Sequence, residues 1–256
     1  MVLRLDKEKI AHCFRRSLPT YDQAARVQRQ LAARLLASLD ILPAQAFDRV
    51  LEIGCGTGVF TEMLCREKRV GELFLNDLVI ECEAVVSDKL GGSEPARLRP
   101  WFGDIETMAL PETPSLVVSG ATFQWFHDLP SFLARLAREL ESGTWLAFSL
   151  FGPGTLAEFS SLSSVELNYL SDSRIQALLK DDFVLETRRT FHDRLFFSSV
   201  REVMGHIRAT GVGGVGEYRW NKSGLRRFEE EYSREFGGEM GLPVSYSSSC
   251  FVARRR

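Results

Sequence analysis

The chain has 256 residues, of which 45% are hydrophobic and 26% are charged, and these values are ordinary for a globular protein. The formal net charge of −2 argues against general attraction to nucleic acid or to an anionic membrane. No apolar run approaches the ~18 residues that span a bilayer. We therefore expect a single domain over residues 1–256, with no nucleic-acid partner and no membrane partner.

Cysteine and histidine usage favours reduced thiols and predicts no metal site. The five cysteines form no C-x-x-C pair, and the four histidines are scattered without H-x-x-x-H spacing. Residues 1–13 carry mixed charges without the apolar stretch of a signal peptide. These features indicate a cytoplasmic protein, which we expect to be a monomer.

Helix-like and strand-like segments alternate along the chain, which predicts a mostly parallel sheet covered by helices. An amphipathic helix is expected over residues 20–39, starting at a capping box of Thr20 and Gln23. The predicted strands are residues 48–53, 73–76, 98–102, 115–119, 145–150, 183–188 and 245–254. After the first strand and the glycine turn, a helix is expected that ends at about residue 66. Further helices are expected over residues 80–89, 131–141, 198–210 and 223–236. Residues 91–95 are expected to form a loop. Residues 151–181 are interpreted as an inserted cover.

Two strands have predicted positions in the sheet. Pro100 cannot donate to a central ladder, so residues 98–102 should lie at an edge. The last strand, residues 245–254, is expected to run antiparallel to the others.

The clearest chemical signal is the run Leu51-Glu52-Ile53-Gly54-Cys55-Gly56-Thr57-Gly58, an apolar strand that enters three glycines before a helix. Glycine is required where the backbone approaches a ligand closely or adopts positive φ, and the helix start offers free N–H groups. The spacing is G-x-G-x-G and not the G-x-G-x-x-G of dinucleotide folds. It favours S-adenosylmethionine (SAM), which has no pyrophosphate.

Two acids follow the next strands. Asp77 comes after the second strand at the interval where a carboxylate accepts from ribose hydroxyls, and the glycine turn before it favours that role over a solvated turn residue. Asp104 follows the third strand and could accept from the adenine amino group while Ile105 packs on the ring. The alternative for Asp104 is a turn or helix cap.

With these residues in place, the chain resembles class I SAM-dependent methyltransferases, and within them the BioC family of malonyl-[acyl-carrier-protein] O-methyltransferases. The matching segments are Tyr21-Asp22, Ala25 with Val27-Gln28, residues 119–126 followed by 128–130, residues 147–149, 151–152, 155–156 and 158, residues 210–211, 242–246 and 252–254. The chain departs from the family at Gly120, where asparagine is common, and at Ser247, where a histidine often follows the tyrosine. Residues 159–181 match little.

The resemblance implies a Rossmann-like α/β fold: a mostly parallel seven-stranded sheet with helices on both faces and an antiparallel last strand. It implies SAM as cofactor and methylation of the free carboxylate of a malonyl thioester on acyl carrier protein, early in biotin (pimeloyl) synthesis. The expected cofactor residues are Glu52, Gly54, Cys55, Gly56, Gly58, Asp77, Leu78, Asp104, Ile105 and Ser119.

The substrate side of the predicted site is assigned by the same resemblance. Tyr21 is expected to act in catalysis and to close the pocket from a lid helix within residues 1–40. Substrate contacts are expected from Tyr21, Gln124, Trp125 and Phe151.

A carboxylate with a pKa near ~4 is ionised at neutral pH and needs no general base, consistent with the lack of an acid–base constellation. It does need a cation or several hydrogen-bond donors, ideally an arginine fork, and no arginine can be assigned that role. Arg15, Arg16, Arg26 and Arg29 could form a basic rim for an acidic carrier protein, or could be solvated helix residues.

Two alternatives remain open. The segment around Gln124 also resembles that of small-carboxylate methyltransferases of the trans-aconitate type. Such an enzyme would need extra fixed cations to bind a substrate with several carboxylates. A SAM-fold assembly factor without methyl transfer would keep the cofactor residues but lack turnover.

Overall fold

Seven strands lie in the described part of the chain (residues 5–91, 95–163, 169–210 and 222–256) of this computed structural model, and they form one sheet. The strands are β1 (Ala46–Ile53), β2 (Arg69–Asn76), β3 (Arg97–Pro100), β4 (Leu116–Gly120), β5 (Trp145–Phe151), β6 (Phe183–Phe197) and β7 (Leu242–Arg255). Their order is β3-β2-β1-β4-β5-β7-β6. Strands β1 to β5 are parallel, and β7 is antiparallel to both neighbours. The predicted fold class is confirmed, including the edge position of β3.

The described helices are α1 (Lys7–Ala24), α2 (Arg26–Ser38), α3 (Val59–Glu67), α4 (Cys82–Leu90), α5 (Leu129–Glu139), α6 (Ala157–Ser163), α7 (Asp172–Leu179), α8 (Val200–Ala209) and α9 (Lys222–Phe236). Among the described residues, no helix is both long and apolar enough to cross a membrane.

Helices cover both faces of the sheet because the central strands are apolar on both sides. Val50 belongs to the core shared with α2, α3 and α8, whereas its neighbour Leu51 belongs to the core shared with α5 and α7. Alternate residues of a strand point to opposite faces, so each central strand feeds two cores. This leaves the carboxyl ends of β1, β2 and β4 together at one edge, where the glycine turn lies.

The N-terminal region corrects the predicted single helix over residues 20–39. It forms two helices, α1 and α2, which meet at Ala25. The first begins thirteen residues earlier than predicted, capped by Asp6, whose side chain accepts from Lys9 N. The capping box at Thr20 is wrong, because the Thr20 hydroxyl donates to Ser17 O inside α1. Pro19 lies within α1, so the helix tolerates a residue that usually ends one.

Strand lengths differ from the sequence prediction mainly at β6, which has 15 residues instead of the predicted 183–188. Along its whole length it pairs with β7, from Phe183 opposite Arg255 to Phe197 opposite Leu242. Most of its side chains are only half buried or exposed, so the alternation that marks a strand is weak. Strand β2 begins at Arg69, and Gly71 lies inside it, where a Cβ would be 2.7 Å from Asp48 O.

The predicted cover over residues 151–181 contains α6 and α7, and its residues 164–168 lie outside the described part of the chain, as do residues 92–94 of the predicted loop. Helix α7 packs on α5 and β6, as an ordinary helix of the sheet layer does. Helices α8 and α9 connect β6 to β7, and α8 contacts α1. Helix α8 therefore packs between α1 and the β6–β7 pair.

Candidate active site

The glycine turn between β1 and α3 is built from left-handed backbone. Gly54, Gly56 and Gly58 have φ values of 74°, 53° and 77°. A Cβ on Gly54 would lie 2.1 Å from the Thr122 hydroxyl, and one on Gly58 would lie 2.9 Å from Val86. A Cβ on Gly56 would meet nothing within 4 Å, because this glycine faces a cavity. Gly54 and Gly58 therefore leave no room for a side chain, while Gly54 and Gly56 both line the cavity and Gly56 leaves backbone open to a ligand.

Asp77 follows β2 and holds the turn in place. Its Oδ2 accepts from Gly56 N and its Oδ1 from Val79 N, both at 2.9 Å. Burial raises the pKa of Asp77, and the backbone donors from Val79 and Gly56 oppose that rise. A carboxylate has about four acceptor positions, so Asp77 can still accept from two hydroxyl groups at the cavity it lines.

Glu52, at the end of β1, is 1% exposed, and its Oε2 has no hydrogen-bond partner. Burial raises its pKa to about 8, opposed by the Thr61 hydroxyl. It lines a second cavity beside Gly54 and Gly56. A buried, unpaired acceptor of this kind is costly unless a ligand completes it, so it points to a cationic or donor group in the cavity.

Asp104 lies on the same large cavity as Asp77, and both of its oxygens are already paired. Lys7 Nζ donates to each of them at 2.6 Å, and Glu106 N donates to Oδ1 at 3.0 Å. Lys7 also pairs with Glu106. The remaining acceptor positions of Asp104 could still receive an amino group. No local sequence pattern indicated that Lys7 would pair with it.

Helix α1 crosses the strand ends and closes the large cavity from one side. At its start Lys7 binds Asp104, and near its end Asp22 accepts from Thr57 at 2.5 Å and from Lys89. Between these points Arg15 Nε lies 2.6 Å from Glu81 Oε1. Helix α1 is therefore held to the three loops that follow the carboxyl ends of β1, β2 and β3.

Three cavities meet beneath α1. The first is lined by Asp77, Leu78, Asp104 and Ile105, and the second by Glu52 and Cys55. The third lies between α1, α8 and the end of β5. Of the described residues, Tyr21 and Ala121 line all three. Ala121 has a positive φ of 52°, a strained value for alanine that is typical of functional sites.

The third cavity unites the four predicted substrate residues, since Tyr21, Gln124, Trp125 and Phe151 all line it. Gln124 Nε2 donates to Ala121 O at 2.6 Å, and its buried Oε1 has no partner. Phe14 packs edge-on against Trp125 with ring centroids 5.5 Å apart. The cavity is thus a narrow, aromatic-walled space next to the cofactor-type cavity.

Sequence reasoning assigned no site role to two polar residues, one that lines this cavity and one that lies behind it. Tyr246 of β7 lines it, and its hydroxyl lies 2.7 Å from Nε2 of His206 on α8. Burial, with a smaller effect from Arg26, lowers the pKa of His206 to about 4, so the imidazole is neutral at physiological pH. The resemblance had marked Tyr246, but nothing in the sequence linked it to His206.

Two predicted cofactor residues lie behind the cavities instead of lining them. Ser119 Oγ donates to Ile53 O at 3.0 Å and is fully buried. Gly58 packs on Val86. Neither lines any of the three cavities. Both support the turn, and their assignment to direct contact stays a prediction.

The third cavity differs from the other two in the charge of its lining residues. Its described lining residues include no lysine, arginine, aspartate or glutamate; they are aromatic, aliphatic, hydroxyl and amide side chains. Within the described residues there is also no cluster of three or more potential metal ligands. The site can therefore bind and align a ligand through neutral donors.

Comparison with known proteins agrees with this geometry. A family model described as a methyltransferase domain matches residues 23–193. A malonyl-[acyl-carrier protein] O-methyltransferase of Chlorobium phaeovibrioides is 37% identical, over 98% of this chain and 97% of that protein. The protein with the same name from Haemophilus influenzae is 31% identical, over 98% and 95% of the two chains.

Solved structures show the same fold. A methyltransferase of Bacillus halodurans superposes with a TM-score of 0.64 at 16% identity, covering 87% of this chain and 98% of that one. The N-methyltransferase NodS of Bradyrhizobium japonicum, in complex with S-adenosyl-L-homocysteine, gives a TM-score of 0.53 at 14% identity, covering 92% and 98%.

Proposed function

The chain belongs to the family of malonyl-[acyl-carrier protein] O-methyltransferases, SAM-dependent enzymes, and we propose that it methylates the free carboxylate of a malonyl thioester carried on acyl carrier protein. The methyl ester would then enter an early step of biotin (pimeloyl) synthesis. The observation that carries the proposal is the neutral, aromatic-walled cavity that meets the cofactor-type cavities at Tyr21.

The residues present fit SAM. Asp77 would accept from the ribose hydroxyls, and Leu78 and Ile105 would pack on the adenine. Glu52 offers a buried oxygen without a partner, which an ammonium group would complete. Open backbone at Gly56 allows close approach. When bound, SAM supplies a methyl group on a positively charged sulfur, which is the electrophile.

The protein's own task is then alignment and exclusion of water. A carboxylate oxygen would take up the methyl group, the carbon–sulfur electron pair would remain on sulfur, and no proton would need to move. Phe14, Trp125 and Tyr21 wall the junction between the cavities and keep water from solvating the nucleophile. Such positioning can lower a barrier by several kcal/mol.

The charge of the third cavity distinguishes the proposal from the trans-aconitate alternative. A substrate with several carboxylates needs several fixed cations to offset desolvation, and the described lining offers none. A malonyl thioester brings one carboxylate, which neutral donors can satisfy. The non-catalytic alternative is disfavoured because a second, aromatic-walled cavity adjoins the cofactor-type cavity, whereas a binding module needs only the latter.

A carrier protein also needs a docking surface. The four arginines predicted to form it differ in whether they already have an ion-pair partner. Arg15 is paired with Glu81. Arg16, Arg26 and Arg29 are exposed and have no ion-pair partner among the described residues. We propose these three as the basic rim. We further propose that residues 1–256 act as one domain and as a monomer; size-exclusion chromatography with light scattering tests this.

The direct test is intact-mass analysis of malonyl-acyl carrier protein after incubation with the purified protein and SAM. Free malonate and trans-aconitate are assayed in parallel. The expected result is the gain of one methyl group on the carrier-bound malonyl group, reversed by ester hydrolysis. Methylation of trans-aconitate alone would support the small-carboxylate alternative. SAM binding without methylation of any of the three would support the non-catalytic one.

A further inference from the structure

We propose that the carboxylate that accepts the methyl group is held by two neutral hydroxyl groups, those of Tyr21 and Tyr246, and that His206 positions the Tyr246 hydroxyl. No arginine fork is required. This inference rests on the proposed function and adds to it the identity of the groups that bind the reacting carboxylate. Tyr21 and Tyr246 would touch the substrate, whereas His206 would act through Tyr246.

Tyr246 is held in a fixed direction. It is 3% exposed, its ring lies 5.5 Å from that of Phe151, and its hydroxyl reaches His206 Nε2 at 2.7 Å. The ring of His206 is itself fixed between Phe197, at 5.1 Å, and the edge of Tyr246. A neutral imidazole that carries its proton on Nε2 donates to the phenol oxygen. The phenol O–H is then free to donate into the cavity.

Tyr21 faces the same cavity from α1. The side chain is half-buried, and its hydroxyl makes no hydrogen bond with any described residue, so its O–H can donate to a ligand in the cavity. Proximity to Tyr21 contributes to the raised pKa of Tyr246, after burial. The two phenols therefore stay protonated as donors, on the two sides of one space, and Tyr21 also borders the cofactor-type cavity.

Neutral donors suit this reaction better than a cation would. An arginine binds a carboxylate through both oxygens and stabilises its charge most strongly in the ground state, where the charge is complete. Methyl transfer removes that charge, so an interaction with a fixed cation weakens on the way to the product. Hydroxyl donors orient the carboxylate at a lower cost to its nucleophilicity. They also hold the neutral ester weakly, which favours its release.

The test compares Tyr246→Phe, Tyr21→Phe and His206→Leu with the wild-type enzyme, using malonyl-acyl carrier protein and SAM. Each hydroxyl removal should lower kcat/KM for the malonyl carrier about 10- to 100-fold, as expected for loss of a hydrogen bond to a charged group. SAM affinity of Tyr246→Phe, measured by calorimetry, should stay within about twofold of wild type. His206→Gln, which keeps an N–H donor, should recover part of the activity lost in His206→Leu.

A matched control separates this role from a structural one. Tyr232 is also fully buried, and its hydroxyl donates to the backbone oxygen of Pro243 at 2.6 Å. Pro243 lies on the same strand as Tyr246. Tyr232, however, lines none of the three cavities. Tyr232→Phe should lower thermal stability as much as Tyr246→Phe does and leave kcat/KM unchanged. In a double variant, His206→Leu should add little to Tyr246→Phe, because both act on one hydroxyl.

The outcomes distinguish the two levels of the proposal. Absence of methylation by the wild-type enzyme overturns the proposed function itself. An active wild type with unchanged kcat/KM in Tyr246→Phe overturns the hydroxyl clamp. Equal loss of activity in Tyr232→Phe and Tyr246→Phe, at equal loss of stability, shows a structural role and also overturns it.

Discussion

Lys7 and Asp104 are 97 positions apart in the chain, yet Lys7 Nζ lies 2.6 Å from both carboxylate oxygens of Asp104. The pair joins the first turn of α1 to the loop after β3 and closes the cofactor-type cavity at one end. The Lys7 side chain is only 17% exposed. A partly buried pair of this kind is screened less than a surface pair.

Replacing Lys7 should speed the release of SAM. Lys7→Met removes the contacts to Asp104 and Glu106 that hold the start of α1 over the cavity. We expect the SAM dissociation rate to rise about 2- to 5-fold, which corresponds to an ion pair worth up to roughly 1 kcal/mol. Stopped-flow fluorescence measures it. Lys9→Met is the control, since the Lys9 side chain has no ion pair among the described residues; equal rates in both variants would refute a closing role for Lys7.

Asp77→Ala should weaken SAM binding more than tenfold, because it removes the acceptor for the ribose and loosens the turn at Gly56. Asp77→Asn keeps one acceptor oxygen and should lose less. Titration calorimetry provides both affinities. Asp88→Ala, at an exposed position of α4, controls for loss of a nearby negative charge. A folded Asp77→Ala with wild-type affinity would remove Asp77 from the site.

Glu52 should make stability and SAM binding depend on pH. Its pKa is about 8 in the folded protein and 4.5 in an unfolded chain, so the folded state holds one extra proton between these values. The free energy of unfolding should therefore fall as pH rises from 4.5 to 8, by at most about 1.4 kcal/mol per pH unit. The difference between wild type and Glu52→Gln isolates this effect, because other groups titrate equally in both.

The same carboxyl links SAM binding to proton release. A ligand ammonium favours ionised Glu52, so binding below pH 8 should release a proton and strengthen as pH rises towards that value. Calorimetry in buffers with different ionisation enthalpies measures the release. Glu52→Gln should release none; proton release equal to wild type in this variant would assign it to another group.

Gly56→Ala should bind SAM poorly in a protein that still folds. The φ of 53° costs alanine roughly 1–2 kcal/mol, and no atom lies within 4 Å of the new Cβ, so the fold survives. The methyl group projects into the cavity and should weaken SAM at least about tenfold. Gly143→Ala carries a similar backbone cost at φ 90° with free space, far from the site. Similar affinities in the two variants would contradict close approach at Gly56.

Reversing charge on the proposed rim should act on the carrier protein alone. Arg16→Glu with Arg26→Glu should raise KM for malonyl-acyl carrier protein about 10-fold at low salt and less at high salt. The KM for malonyl-pantetheine, which has no protein surface, should stay unchanged. If KM rises equally for both substrates, these arginines act on the malonyl group or the fold and not on docking.

The local pattern of the chain was sufficient for the central sheet and for the convergence of the glycine turn with Asp77 and Asp104. The apolar run before Gly54 and the acids after the next strands are short-range features. In a parallel sheet they must converge at one edge, so Asp77 and the turn could be placed together from sequence. The same logic put Pro100 on an edge strand. Hydrophobic periodicity did not predict the full length of β6, because its side chains are half exposed. It also did not predict α1, because Pro19 lies inside that helix and proline usually ends one.

Contacts between distant segments were decided only by tertiary structure. Lys7 reaches Asp104 because α1 starts at Asp6 and crosses the strand ends, and no local signal marks that path. His206 meets Tyr246 because α8 folds back from the long β6–β7 pair. Sequence therefore determined which ligand chemistry the chain offers, through backbone geometry and residue type. The fold determined which polar groups face the substrate, because burial and orientation depend on packing between segments far apart in the chain.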